Sequence, residues 1–585
     1  MKLFLLAIFI TLVGQISAEV FYAKLRQSPQ DNFHCLILEQ TAVRKFKGFE
    51  TNDINEVKVF TRAALSAPVD SKLAFSDDSK IIEIYAKRKL VLESHIDYGC
   101  RTKKTISRRD SRNVGILDDP EIRKIVDGGD QGNRIDVVFM GDGYTADERV
   151  KFFDDINRLT NDMFNGETFR SYLPVFNIWA IHVESVESGI GYNGPKDTPF
   201  RLYRSQGQLR GIYTQNAQYA REICLLTGPL GCDYPSLIGN DDYYGGLGGE
   251  FVISTKSNNT GTVVLRHEMG HNFVRVGEEY DDGSSYFGVN SAPSLEEAVN
   301  KWGHWLTGDS IRAERAVYRL LEYPWADLDL GEQSFTFTSD GLYSRWQLIL
   351  SVSAAGEADS MEFILDGQIL PWSSRGSDDR EFYNWWGDEG LAEGEHTFVV
   401  RSITPSTNPN IPRMICHVRL HEFGNEDEFQ MSSDVVSAYR TWDVRRQITY
   451  RPTNEGCLMR NMTHTEFCPV CREGMWYQFL QRISLIDGVT VSDDVNADLT
   501  RRVTVHTLNL GQFRLPGNEV AGERLEIRWF YGGIEQSQFN NQIAINARVG
   551  SWYVSVQFIT PEVRYDPNHL LHEIENFTVA TQWGT

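Results

Sequence analysis

The chain has 585 residues, 41% of them hydrophobic, and a formal net charge of -22. That length allows several domains, each with a real core. The negative balance argues against nucleic acid or an anionic membrane as partner.

In chain order, Lys2 is followed by an apolar run from Leu3 to Val13 and by Gly14 to Ala18. Residues 1–18 read as a secretory signal peptide cleaved after Ala18. The run is too short for a span of about 20 residues, and no later stretch comes closer. A secreted, extracellular protein with no membrane span is expected.

The chain has eight cysteines, and in a secreted protein these suggest disulfides. Cys35 and Cys100 are candidates to pair, as are Cys224 and Cys232. Cys457, Cys468 and Cys471 cluster, with Cys416 upstream. Cys468-Pro-Val-Cys471 also reads as half of a zinc site or as a redox pair. The chain lacks a second CxxC, which argues against a four-cysteine zinc site. Asn258, Asn461 and Asn576 head glycosylation sequons, which count only in a eukaryotic source.

Residues 19–112 read as a β-rich domain, with strands at Cys35–Glu39, Glu56–Phe60 and Lys80–Tyr85. The basic stretch from Arg101 to Arg112 reads as a linker, or as a processing site that would make this domain a removable prodomain.

From 113 the pattern turns α/β. Ile135–Met140 is a short apolar run, expected as a buried strand. Thr145 and Glu148 form a capping box. The helix behind it carries Val150, Phe153, Ile156, Leu159 and Met163 at helical spacing. Val175–Val183 is a second buried strand, with His182 expected as a core residue. Another helix is expected near Gln215–Leu226. The glycine-rich segment Gly245–Gly249 leads into Phe251–Thr255, read as an edge strand that lines a cleft, where glycines let substrate backbone approach.

His267-Glu-Met-Gly-His271 follows. Residues four apart on a helix share a face, so both imidazoles can reach one metal ion, with Glu268 beside them as general base. The apolar flanks Val263–Leu265 and Phe273, Val274, Val276 make this a buried helix, where the ionisable trio needs a partner.

Catalytic zinc takes three protein ligands and keeps one position open. Metzincin spacing would need Gly at 274 and a ligand at 277; here Val274 and Gly277 stand there. A straight helix would carry Glu278 about 10 Å beyond His271. Gly277 is therefore expected to end the helix as a left-handed cap and to turn the chain back. Glu279 is favoured as third ligand, with Glu278 second and His304 still possible.

The run from His267 to Tyr280 resembles the IgA endopeptidase family of secreted zinc metallopeptidases, in which HExxH is followed by an acidic residue and then Glu-Tyr. Asn133–Tyr144, Phe176–Trp179, Gly245–Gly249, Lys301–Leu306, Tyr450–Arg460 and Phe467–Glu473 resemble it too, covering about 115–310 and 430–490. The resemblance implies a zinc endopeptidase with Met459 as a hydrophobic floor beneath the metal. Glu279 matches the family's Glu before Tyr, whereas Glu278 stands where the family commonly has Asp.

Residues 320–425 interrupt the pattern with strands at Trp346–Val352, Met361–Gln368 and His396–Arg401, read as an inserted β-sandwich-like domain. Phe382–Trp386 is expected to fill its core or one side of the cleft. His417 and His421 lie on a strand, where four-residue spacing is no tight metal pair. The catalytic domain, begun at 113–319, resumes at 426–489, with a helix from Pro469 to about Ile486. Residues 490–585 read as a second β-sandwich-like module.

The expected class is a multidomain α+β protein: a zincin-like α/β catalytic domain with flanking and inserted β-sandwich-like domains. The expected function is hydrolysis of peptide bonds in protein or peptide substrates, with Zn2+ on His267, His271 and Glu279 and with Glu268 as base. His304 and Tyr280 are candidates for the donor to the oxyanion. The alternatives are a non-catalytic adhesion or glycan-binding protein on a peptidase scaffold, and a metallohydrolase acting on another bond, such as an ester or an acetyl amide.

Overall fold

A computed structural model describes residues 120–580, except 206, 207, 229, 284, 285 and 409, together with five strands upstream of them. The expected signal peptide, residues 103–112 of the expected linker or processing site, and the side chains of Cys35 and Cys100 lie outside the described residues. The protein is multidomain and sheet-rich, with five α-helices among the described residues.

The upstream strands, β1 (Val20–Gln27), β2 (His34–Val43), β3 (Val57–Ala63), β4 (Lys80–Ala86) and β5 (Arg101–Thr102), form one sheet in the order β3-β4-β1-β2-β5. A second sheet positions the site. It contains β6 (Glu121–Val126), β7 (Ile135–Asp142), β8 (Phe176–His182), β9 (Tyr234–Gly239) and β10 (Val252–Thr255), in the order β10-β9-β7-β8-β6. β7 to β10 run parallel, and β6 pairs antiparallel with β8. Every residue of β7 is buried, as the apolar run requires of a strand covered on both faces.

The expected capping box is present at Thr145 and Glu148 and opens a 3-10 turn that runs into α1 (Arg149–Thr160). Phe152, Phe153, Ile156 and Leu159 face the core, while Val150 is exposed. His182 packs against Phe152 and Phe153 and is a core residue. α2 (Ala217–Cys224) is followed by the Cys224–Cys232 disulfide.

β10 leads into α3 (Gly261–Phe273), in which every residue except Val263 is buried. Beyond α4 (Leu295–Trp302), strands from Ala316 to Phe423 build two sheets around a separate apolar core that includes Leu348, Phe363, Phe398 and Val418. This β region braces the entry to α3: Asp379 accepts hydrogen bonds from Thr260 Oγ1, Ser257 Oγ and the Tyr244 amide. A carboxylate suits the positive end of a helix.

α5 (Pro469–Leu480) ends earlier than expected. Asn133 accepts from the Ser484 amide, and Arg134 binds Asp487 through both guanidinium nitrogens. These contacts turn the chain toward the strand Ile486–Val495, so the helix stops at Leu480 and not at about Ile486 as expected. Two further sheets follow, up to Val579, and their core is continuous with that of the α/β region, as where Trp476 meets Phe558 edge to face.

Candidate metal centre

α3 presents His267 and His271 on one face. Their Nε2 atoms are 3.3 Å apart and their rings nearly perpendicular, at 88°. His271 Nδ1 lies 3.1 Å from the Val276 carbonyl and His267 Nδ1 3.5 Å from the Leu458 carbonyl. With Nδ1–H donating to a backbone oxygen, each Nε2 is left as a lone pair. Two Nε2 atoms 3.3 Å apart need a proton or a metal ion between them.

The helix ends at Phe273, and Val274 is already extended, with φ -139° and ψ 155°. Gly277 is therefore not the left-handed cap expected. The turn back is held by Asn290, which accepts from the Gly277 amide, donates to the Gly277 carbonyl and donates to Glu279 Oε1. Asn290 is fully buried. No spacing rule singles it out, since its role arises only once residues 277 and 290 meet.

The turn brings Glu278, not Glu279, to the imidazoles. Glu278 Oε1 is 3.2 Å from His271 Nε2 and Oε2 is 3.4 Å from His267 Nε2. Glu279 points instead to Cys457, Cys468 and Cys471. The chain from Gly277 to Glu279 is neither helix nor strand, so the two neighbouring carboxylates diverge and one alone reaches the histidines. His304 is elsewhere, with Nε2 2.6 Å from Glu473 Oε2 on α5. Asp281 is engaged by Arg460 and His421, which accounts for His421 without a metal.

The donor set fits a metal. His267, His271 and Glu278 ligand atoms cluster in a buried group. Tetrahedral zinc with bonds of about 2.0–2.1 Å separates its nitrogen and oxygen ligands by roughly 3.3 Å, which matches the spacings here. A buried carboxylate set against two imidazoles is an expensive arrangement unless a proton or a metal ion neutralises it.

Electrostatics agree with a cation site. Burial opposes a charged His271, yet the Glu278 carboxylate pushes its pKa up to about 9. Glu278 is held well below the carboxylate range by the two imidazoles against the pull of burial. Glu268, 2% exposed, is pushed up to about 7 by burial, against the attraction of His267 and His271. Tyr280, whose ring lies 6.3 Å from that of His267, is held well above the usual phenol range by burial and by Glu278.

Met459 is fully buried. A Cβ on Gly270 would come within 2.8 Å of Phe467 and 3.2 Å of Met459 Sδ, so the glycine inside HExxH lets both side chains pack against α3.

The glycine-rich segment serves the protein's own backbone. Leu247 exchanges both backbone hydrogen bonds with Ile253 on the outer edge of β10. A Cβ on Gly246 would lie 2.3 Å from the Ile253 carbonyl oxygen. The edge expected to pair with substrate is thus covered at Ile253.

Tyr280 also lines a cavity of about 320 Å³ that reaches the sheets of residues 316–423. Alternation along the strand Glu381–Gly387 directs Phe382, Asn384 and Trp386 to this cavity, while Trp385 enters the sandwich core and Tyr383 touches both. Trp385 thus fills the core role expected of this run.

Residues 123–311 match the IgA peptidase M64 family. This segment belongs to that family of peptidases. The M64 match contains α3 and Glu278 and ends before the sheets of residues 316–423. Met459 and Cys457–Cys471 lie beyond the M64 segment. No curated protein matches the chain. Among solved structures it is similar to a family 35 carbohydrate-binding module from Clostridium thermocellum, at 13% identity and TM-score 0.13, over 18% of this chain and 90% of that one. It is also similar to a GH2 β-galacturonidase from Eisenbergiella tayi, at 7% identity and TM-score 0.14, over 47% of this chain and 44% of that one. Likeness at that level carries no argument about function.

Proposed function

We propose that the protein is a secreted zinc-dependent endopeptidase with a zincin-like catalytic region. The observation that carries this is the three-way approach of His267, His271 and Glu278 within a segment of a peptidase family. Glu278 replaces Glu279 as the third ligand we propose. When bound, zinc supplies Lewis-acid polarisation of the scissile carbonyl and of the attacking water.

The chain's own residues do the rest. Glu268 has a proton affinity raised toward neutrality, so it can take a proton from water and return it to the departing amine. Tyr280 keeps its hydroxyl proton across the working pH range, and we assign it to donate to the oxygen that gains charge. The Leu458 and Val276 carbonyls fix the imidazole tautomers. The cavity beyond Tyr280, walled by Phe382, Trp386 and Arg419, is suited to a substrate side chain.

The test is a digest of an unbiased peptide library with and without chelator, alongside Glu268→Gln. Cleavage should stop with chelator and return with zinc. Glu268→Gln should keep its metal and lose about 10²–10⁴-fold in kcat. Full activity in that variant would refute the assignment.

A further inference from the structure

We propose that Cys457, Cys468, Cys471 and Glu279 form a second, structural zinc site. It does not rest on the peptidase reading, since it shares no residue with the histidine cluster.

All four side chains are buried, and one ligand atom from each lies within 4.8 Å of the others. Cys457 Sγ and Cys471 Sγ are 3.8 Å apart, and Cys471 Sγ is 3.7 Å from Glu279 Oε1. Zinc–sulfur bonds of about 2.3 Å at tetrahedral angles place two sulfurs roughly 3.8 Å apart, and a sulfur and an oxygen slightly closer. The spacing is that of ligands around one ion.

The local chain supports the same reading. Cys468 and Cys471 flank the first turn of α5, with Pro469 at its opening position. Amides at a helix start stabilise thiolates, and Cys468 stands at the N-cap of α5. The Cys468 amide is directed at Cys457 Sγ, 3.4 Å away. Glu279 Oε1 accepts from Asn290, while Oε2 is buried without a hydrogen-bond partner.

Pairing cannot resolve this cluster. Three sulfurs are an odd number, so a disulfide between any two would leave one thiol beside a buried carboxylate. One zinc ion uses all four groups, releasing a proton from each neutral thiol as it binds. Thiolate-rich, closed four-ligand sites select zinc and are structural. Such an ion would tie three segments together: the turn carrying Glu278, the loop carrying Met459 and the start of α5.

The test uses the full chain purified in the presence of zinc. Elemental analysis should find about two zinc ions per chain. Cys468→Ser should lower this to about one. The double variant His267→Ala/His271→Ala should also retain about one, with X-ray absorption showing zinc–sulfur scattering near 2.3 Å. In the wild type, denatured with chelator but without reductant, Cys457, Cys468 and Cys471 should all alkylate. A disulfide linking any two of them would overturn the proposal. So would zinc that disappears entirely from the histidine double variant, or wild-type zinc that shows no zinc–sulfur scattering. The wild-type measurements decide the matter even if Cys468→Ser fails to fold. Loss of peptidase activity with both ions retained would count against the proposed function alone.

Discussion

Glu278 and Glu279 are adjacent in the chain and serve opposite sides of it. Glu278 Oε1 lies 3.2 Å from His271 Nε2, and Glu279 Oε1 lies 3.7 Å from Cys471 Sγ. The two acids should therefore fail in different ways. Glu278→Ala should remove zinc from the histidine cluster and lower kcat/KM by more than about 100-fold. Glu279→Gln should instead lower the melting temperature and the sulfur-bound zinc. Metal analysis combined with thermal unfolding separates the two.

Asn290 should matter more than its neutral side chain suggests. Asn290→Ala would strip a partner from the Gly277 amide, the Gly277 carbonyl and Glu279 Oε1, all buried. Each orphaned group costs about 1–3 kcal/mol. A clear fall in denaturant midpoint is expected, together with weaker zinc retention, because the turn that delivers Glu278 loses its clamp. An unchanged midpoint would show that the turn is held by something else.

Gly270 gives a prediction of opposite sign to helix propensity. In an ordinary helix interior, Gly→Ala stabilises by roughly 0.8–1.0 kcal/mol. Here the new Cβ would meet Phe467 and Met459 Sδ at 2.8 and 3.2 Å. Overpacking of this kind costs about 1–3 kcal/mol, so Gly270→Ala should destabilise in a thermal melt.

Metal uptake should depend on pH through His271. Without metal, burial disfavours its charged form, yet Glu278 pushes its pKa up to about 9. That is above the unfolded value of about 6.5. The ion pair therefore contributes stability that is full below about 6.5 and is lost as pH rises through about 9. Zinc must displace this proton, so its apparent affinity should rise roughly tenfold per pH unit up to about 9. Competition with a chelator at several pH values measures the slope; a flat profile would mean that the imidazole is already neutral.

Catalysis should have its own acid limb, from Glu268. Burial pushes it up to about 7, and a bound cation would pull it lower. Activity needs the carboxylate ionised, so kcat/KM should fall as pH drops through a value at or below about 7. Tyr280→Phe should leave that limb in place while lowering kcat by about 10²–10³-fold, the range for a lost oxyanion donor. The pH profiles of the wild type and Tyr280→Phe, measured on one peptide, test both roles.

Local patterning made several features legible in the sequence. Ile135–Met140 is apolar throughout because β7 is covered on both faces, and Thr145 and Glu148 announce a helix start through bonds made within four residues. The four-residue spacing of His267 and His271 fixes a shared face wherever a helix forms. These readings hold because their physics is contained in one turn or one strand.

Tertiary structure decided what happens where segments distant in sequence meet. Whether Glu278 or Glu279 reached the imidazoles depended on Asn290 gripping Gly277. Gly246 and Leu247 closed the edge of β10 that the glycines seemed to leave open. Cys457 and the Cys468–Cys471 pair acquired Glu279 as a neighbour only when the Met459 loop folded beneath α3. Spacing along a chain sets which side chains can share a face, but partners nearly 200 residues apart are chosen by packing, which no local pattern encodes.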